Sequence, residues 1–203
     1  MAVNPAPQRV KRWRVVDVVI AAVLGVACGL IFFLWNYTGY FAFLALDSLT
    51  PGLGGLFAGP WLLGGVIGGL VIRKPGAALF VELLAAIVSA LLGNVWGIGT
   101  LYSGVAQGLG AELVFAAFAY RRFGVVPAAL AGALSALGAF ILELFTAGNL
   151  ARTLEFNLIY LSCLLVSGAL LAGVLGWAIV RALAATGVLD RFAAGREHRE
   201  RTT

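Results

Sequence analysis

Histidine is almost absent from this chain of 203 residues: the one example, His198, lies in a charged tail. That removes Ser/His/Asp catalysis, the HExxH metalloprotease motif and histidine-based haem ligation. No GxxxxGKS or GxxxxGKT run occurs, so ATP binding through a P-loop is excluded. Cys28 and Cys163 are the only cysteines, they form no CxxC pair, and both sit inside apolar runs. They read as small buried hydrophobes rather than a disulfide or a metal site. Neither an enzyme nor a bound cofactor is expected.

Charge is scarce too. Only 11% of residues are charged and 62% are hydrophobic, against roughly 25% and 45–50% in a soluble domain. A soluble protein of this size cannot hide so much apolar area, so the composition is that of a chain built for lipid. The net charge of +5 does not point to nucleic acid, because the basic residues fall in short clusters between apolar runs rather than on one solvated face.

Six apolar segments are long enough for candidate membrane helices: residues 15–35, 53–72 (or starting at Pro60), 75–92, 100–120, 125–147 and 154–184. They form one membrane domain flanked by basic tails at 1–14 and 185–203. The segments are apolar all round, unlike the alternating strands of a barrel. The first is uncharged from 18 to 46, too long for a signal-peptide core, so it reads as a retained helix. Thirteen of the 14 basic residues, including Arg9, Lys11, Arg12, Arg14, Arg73 and Lys74, fall on one side of this arrangement; only Arg152 is opposite. The positive-inside rule then places both termini in the cytoplasm. Residues 36–51 read as an external connection, either a lid packed on the outer face or a loop at the headgroups. Rows of small residues four apart, such as Ala21, Gly25 and Gly29, suit close helix packing. Asp17 reads as an interfacial charge.

Polar groups inside the membrane are the functional candidates. Glu82, Glu112 and Glu143 lie within the third, fourth and fifth segments with no basic residue beside them. For Glu82 and Glu112, polar glue between helices and a ligand or proton site are both open. Gln107 is also deep, but about 140° around its helix from Glu112, so one of the two is packing. Trp61, Asn94, Trp96, Asn157 and Tyr160 gather at the outer ends. As interface anchors they would form a belt; as a convergent set they form an acceptor-rich aromatic pocket without a fixed positive charge. Such a pocket favours a flat ring carrying donors, or a cation.

The stretch 73–120 carries Arg73-Lys74-Pro75-Gly76, Glu82, Gly93-Asn94 with Trp96-Gly97, and Gln107-Gly108 through Glu112. In these elements it resembles the YkoE family of substrate-binding S components of energy-coupling factor (ECF) vitamin transporters. The resemblance implies a six-helix S-component bundle that binds thiamine or its hydroxymethylpyrimidine precursor from outside. It implies partners too: a transmembrane coupling protein and ABC-type ATPases, in a bacterial cytoplasmic membrane. It places Glu82, Asn94, Trp96, Gln107 and Glu112 at the family's characteristic positions; Glu143, Asn157, Tyr160 and Trp61 join them from depth and chemistry. The first helix lacks the clean Ala-xxx-Ala row that many S components use for docking. The competing reading is a proton-coupled secondary transporter of a small cationic or aromatic solute, using Glu82 and Glu112.

Overall fold

The computed structural model describes residues 12–202; Arg9 and Lys11 of the expected basic cluster lie outside them. Among the described residues there are seven helices and no strand. They are α1 (Val15–Leu49), α2 (Leu63–Ile72), α3 (Ala77–Leu92), α4 (Gly99–Ala117), α5 (Val125–Thr146), α6 (Leu154–Ala185, with a π-helical stretch at Gly168–Val174) and α7 (Ala193–Thr202). The all-helical class holds, and the expected count of six is corrected to seven. The addition is α7, in the tail. It is polar, so hydropathy gives no sign of it. Leu189, Phe192 and Ala194 bury at its base, and Glu197 pairs with Arg73 at 2.6 Å.

A second difference concerns α1. It does not stop at Trp35 but runs 35 residues to Leu49, about 50 Å of helix. No proline falls between Pro7 and Pro51, and the stretch expected as a loop is helical. At Gly39 a Cβ would overlap the Trp35 ring. The missing side chain therefore lets that indole lie along the helix and donate to the Phe57 carbonyl at 2.9 Å. The chain turns after Leu49 at Gly52, whose φ of 100° suits glycine and whose N–H donates to Asp47 at 2.7 Å.

Residues 53–62, expected as the start of a helix, form two 3-10 turns, Leu53–Phe57 and Gly59–Leu62. Ser167 of α6 holds them: its hydroxyl accepts from Gly59 N–H at 2.8 Å and donates to the Leu56 carbonyl at 2.7 Å. Every residue of α2 is buried, which makes it the central helix. By length and composition, α1, α5 and α6 are able to cross a membrane; Gly59–Ile72 and Ala77–Leu92 are apolar but shorter. In α4 the polar Gln107 and Glu112 interrupt the apolar run that follows Ser103.

Small residues set the packing. Gly110 and Gly138 bring the α4 and α5 backbones together, and Gly132 meets Gly168 between α5 and α6. The row at Gly25 and Gly29 closes onto Leu84 and Val88 of α3, so it serves the bundle interior and not an outer docking face.

The basic clusters gather at one end. Asp17 is 1% exposed and accepts from the Arg14 guanidinium at 3.0 Å and from Lys74 Nζ at 2.5 Å. Lys74 also donates to the Arg12 carbonyl at 2.7 Å and Trp13 to the Pro75 carbonyl at 2.8 Å. These contacts fasten the start of α1 to the α2–α3 turn.

Candidate functional site

The opposite end of the bundle holds a cavity of about 470 Å³, within the range of small-molecule sites. Its walls come from α1, the 3-10 turn before α2, α3, α4, α5 and α6. Trp61 and Trp96 meet edge to face with centroids 6.4 Å apart, and Tyr40 stands against Trp96 at 5.1 Å. Tyr160 stacks on Phe156 at 5.7 Å and donates its hydroxyl to Glu143 Oε2 at 2.7 Å. The aromatic pairs give flat faces with fixed tilt. Glu143 lines the cavity with one oxygen bonded to tyrosine and the other without a hydrogen-bond partner among the described residues.

Other polar groups are spent on holding the walls. Asn36 accepts from Trp61 Nε1 at 2.8 Å and donates to Ser89 at 3.2 Å. Asn94 accepts from the Trp96 and Gly97 N–H groups at 3.0 and 2.9 Å and exchanges bonds with Thr100. It shapes the α3–α4 turn and fixes where Trp96 stands. The Gln107 amide lies 3.2 Å from the Trp61 carbonyl and 3.1 Å from Glu82 Oε1, and with its nitrogen turned toward them it donates to both.

Residues 16–138 match the family described as ABC-type cobalt transport system, permease component. The Bacillus subtilis (strain 168) protein named "Putative HMP/thiamine permease protein YkoE" is 39% identical over 192 residues, with 92% of each chain covered. The chain belongs to the YkoE family. A solved structure described as the crystal structure of an S-component of ECF transporter matches with a TM-score of 0.87 at 38% identity. The match covers 94% of this chain and 95% of that one. This YkoE-family chain is thus a transporter S component, multi-pass in a membrane, and not an enzyme.

Six residues singled out from the sequence line the cavity: Trp61, Asn94, Trp96, Gln107, Glu143 and Tyr160. Three do not. Glu82 is fully buried behind Gln107, where its Oε2 accepts from Gly65 N–H at 2.5 Å. Glu112 faces the basic end and accepts from Gly76, Ala78 and Leu79 N–H at 2.7, 2.9 and 3.4 Å, and from the Tyr120 hydroxyl at 2.6 Å. It caps the N-terminus of α3 from a neighbouring helix, satisfying N–H groups that have no partner within their own helix. Asn157 donates to the Asn149 and Thr153 carbonyls at 2.9 and 3.1 Å, holding the turn before α6.

Sequence reasoning missed several lining residues. Tyr40, Phe43 and Asp47 line the cavity on the same helix as Asn36, an outer-half amide already legible in the sequence. Their spacing of four, three and four is that of one helix face, a signal hidden by reading the segment as a loop. Arg152 also lines the cavity, with its guanidinium over the Phe156 ring at 4.6 Å. The expected absence of a fixed positive charge is therefore corrected: the site is acidic and aromatic with one arginine at its wall.

Proposed function

We propose that this S component binds thiamine or hydroxymethylpyrimidine in the cavity at the end opposite the basic clusters. It would deliver the ligand with a separate coupling protein and ABC-type ATPases. The observation that carries the reading is the pairing of flat aromatic faces, Trp61 and Trp96, with the half-engaged carboxylate of Glu143. An aminopyrimidine stacks on such faces and offers N–H donors to the carboxylate; a thiazolium adds a cation suited to tryptophan and glutamate. The names of the B. subtilis relative and of the matched S component support the ligand and the assembly.

The gathering of Arg14, Arg73 and Lys74 at one end supports six crossings in the cell membrane. Both termini and that end would be cytoplasmic, and the cavity would open outward. Glu82 and Glu112 do not meet: the first bonds Gly65 and Gln107, the second caps α3. That favours the S component over a proton carrier built on the two.

The test is titration of the detergent-purified chain with each ligand, followed by tryptophan fluorescence. Saturable binding at micromolar concentration or below is expected. Absence of binding to both ligands in calorimetry overturns the reading. Cobalt, from the matched family's description, belongs in the same series. Among the described residues no three His, Cys, Asp or Glu side chains converge on a metal position, and no saturable Co²⁺ binding is expected.

A further inference from the structure

At the basic end lies a second, smaller cavity of about 80 Å³. It opens between the end of α2, the start of α5, the last turns of α6 and α7. Arg73 and Arg181 both line it, and each lays its guanidinium over an aromatic ring of the same wall. Arg73 stands 4.6 Å from the centroid of Phe123, and Arg181 4.9 Å from that of Trp177. Stacking of this kind holds a guanidinium in place and leaves its N–H edge to an anion.

The charges of the wall do not cancel. Among the described residues Glu197 is the one carboxylate in the lining, and it is turned onto Arg73 at 2.6 Å. Arg73 also donates to the Leu70 carbonyl at 3.0 Å. No ion pair or side-chain hydrogen bond among the described residues engages Arg181. Two guanidiniums against one carboxylate leave a net positive wall, with Arg181 as its uncompensated member. The volume is far below the roughly 300 Å³ at which small-molecule sites begin and suits a single phosphate group.

The face of α6 that leads to this cavity is apolar. Leu170, Val174, Trp177 and Arg181 follow at intervals of four, three and four, the spacing of one helix face, and Leu170 is exposed. At the start of α5, directly after Gly124 of the lining, Val125 and Val126 are exposed as well. In a multi-pass protein such surfaces meet acyl chains. Along α6 the order is apolar run, tryptophan, arginine, which matches hydrocarbon, interface and headgroup in a bilayer leaflet.

We propose that this cavity binds the headgroup of an anionic phospholipid. Arg181 takes the phosphate, Arg73 is the second cation of the wall, and an acyl chain runs along Leu170 and Val174. Because α2, α5, α6 and α7 all border the cavity, a seated headgroup ties the tail helix to the bundle. A free phosphate would use the arginines and leave the apolar face unused. The site is separate from the vitamin cavity and does not depend on what that cavity binds.

The experiment follows the unfolding midpoint of the detergent-purified chain as phosphatidylglycerol or phosphatidylcholine is added to the micelles. Salt is held at about 0.5 M, where diffuse attraction is screened. A ligand that binds only the folded chain raises its midpoint, and phosphatidylglycerol is expected to do so at about tenfold lower mole fraction than phosphatidylcholine. Arg181→Gln is expected to need about tenfold more phosphatidylglycerol, through loss of charge-assisted hydrogen bonds. Arg122→Gln removes an exposed charge of the same end that does not line the cavity, and should change the requirement by less than about threefold.

Equal responses of the wild type to the two lipids would overturn the proposal and leave the cavity to an acidic side chain of a partner protein. Equal effects of Arg181→Gln and Arg122→Gln would overturn it too, since the lipid would then be reading surface charge alone. A midpoint shift reproduced in full by inorganic phosphate at the same concentration would overturn the lipid as the occupant. If Arg181→Gln fails to fold in detergent, Arg181→Met, which keeps an apolar stem over Trp177, takes its place, and a wild-type response from it overturns the proposal.

Discussion

The two ends of the bundle use the same chemical group in opposite ways. At the basic end, Asp17 accepts from the Arg14 backbone and guanidinium and from Lys74, and Glu112 accepts from three backbone N–H groups and a tyrosine. Those carboxylates are saturated, and what they hold is the protein. At the cavity end, Glu143 has a single hydrogen-bond partner among the described residues, Tyr160. The saturated carboxylates fasten elements together; the second oxygen of Glu143 is the one proposed to meet the ligand. Glu82 falls between them: it is engaged on both oxygens, yet one engagement is to the cavity wall.

The largest loss of stability is expected at the basic end. Asp17→Asn leaves Lys74, which is only 11% exposed, without its anion. Removing one partner of a buried pair is costly, and a loss of roughly 3 kcal/mol is expected, read as a lower midpoint of unfolding in detergent. Ligand affinity in the fraction that remains folded should not move. Glu143→Gln gives the converse result: ligand binding weakens by about 1.5–3 kcal/mol, the range for hydrogen bonds to a charged group, while the unfolding midpoint stays close to wild type. A Glu143 variant that melts early and binds normally would erase the distinction between the ends.

Glu112→Gln sharpens it. The glutamine oxygen still caps part of α3, so the expected loss is about 1 kcal/mol of stability with affinity unchanged. The smallest effect belongs to the outer rim of the basic end. Arg199 and Asp190 pair at 3.1 Å with exposed side chains, and Asp190→Asn should change stability by less than about 1 kcal/mol. A larger loss would show that the tail helix is held by more than its buried base.

Much of this was open to sequence reasoning because lipid imposes a simple rule: apolar runs of the right length become helices. The same rule explains the failures. It counts apolar residues and has nothing to say about α7, whose polar sequence folds against Arg73 and the buried Phe192. It ends a helix where a bilayer ends, so α1 was cut at Trp35 although nothing in residues 36–49 breaks a helix. With α1 continued, the face of Asn36, Tyr40, Phe43 and Asp47 becomes visible. Glu82 and Glu112 looked equivalent because depth along a helix was the only coordinate available. The neighbours that separate them, the Gly64-Gly65 backbone and the start of α3, belong to other elements. The sequence sets Arg152 apart from the other basic residues but does not bring it to the cavity, since its stacking on Phe156 depends on how the turn before α6 folds back.

The central claim is that the half-engaged carboxylate at the cavity end recognises the ligand. It is tested most directly by calorimetric titration of wild type and Glu143→Gln with thiamine, at concentrations where both are fully folded. Tight saturable binding to the wild type and a loss of tenfold or more in the variant are expected. Equal affinities in the two proteins would contradict it.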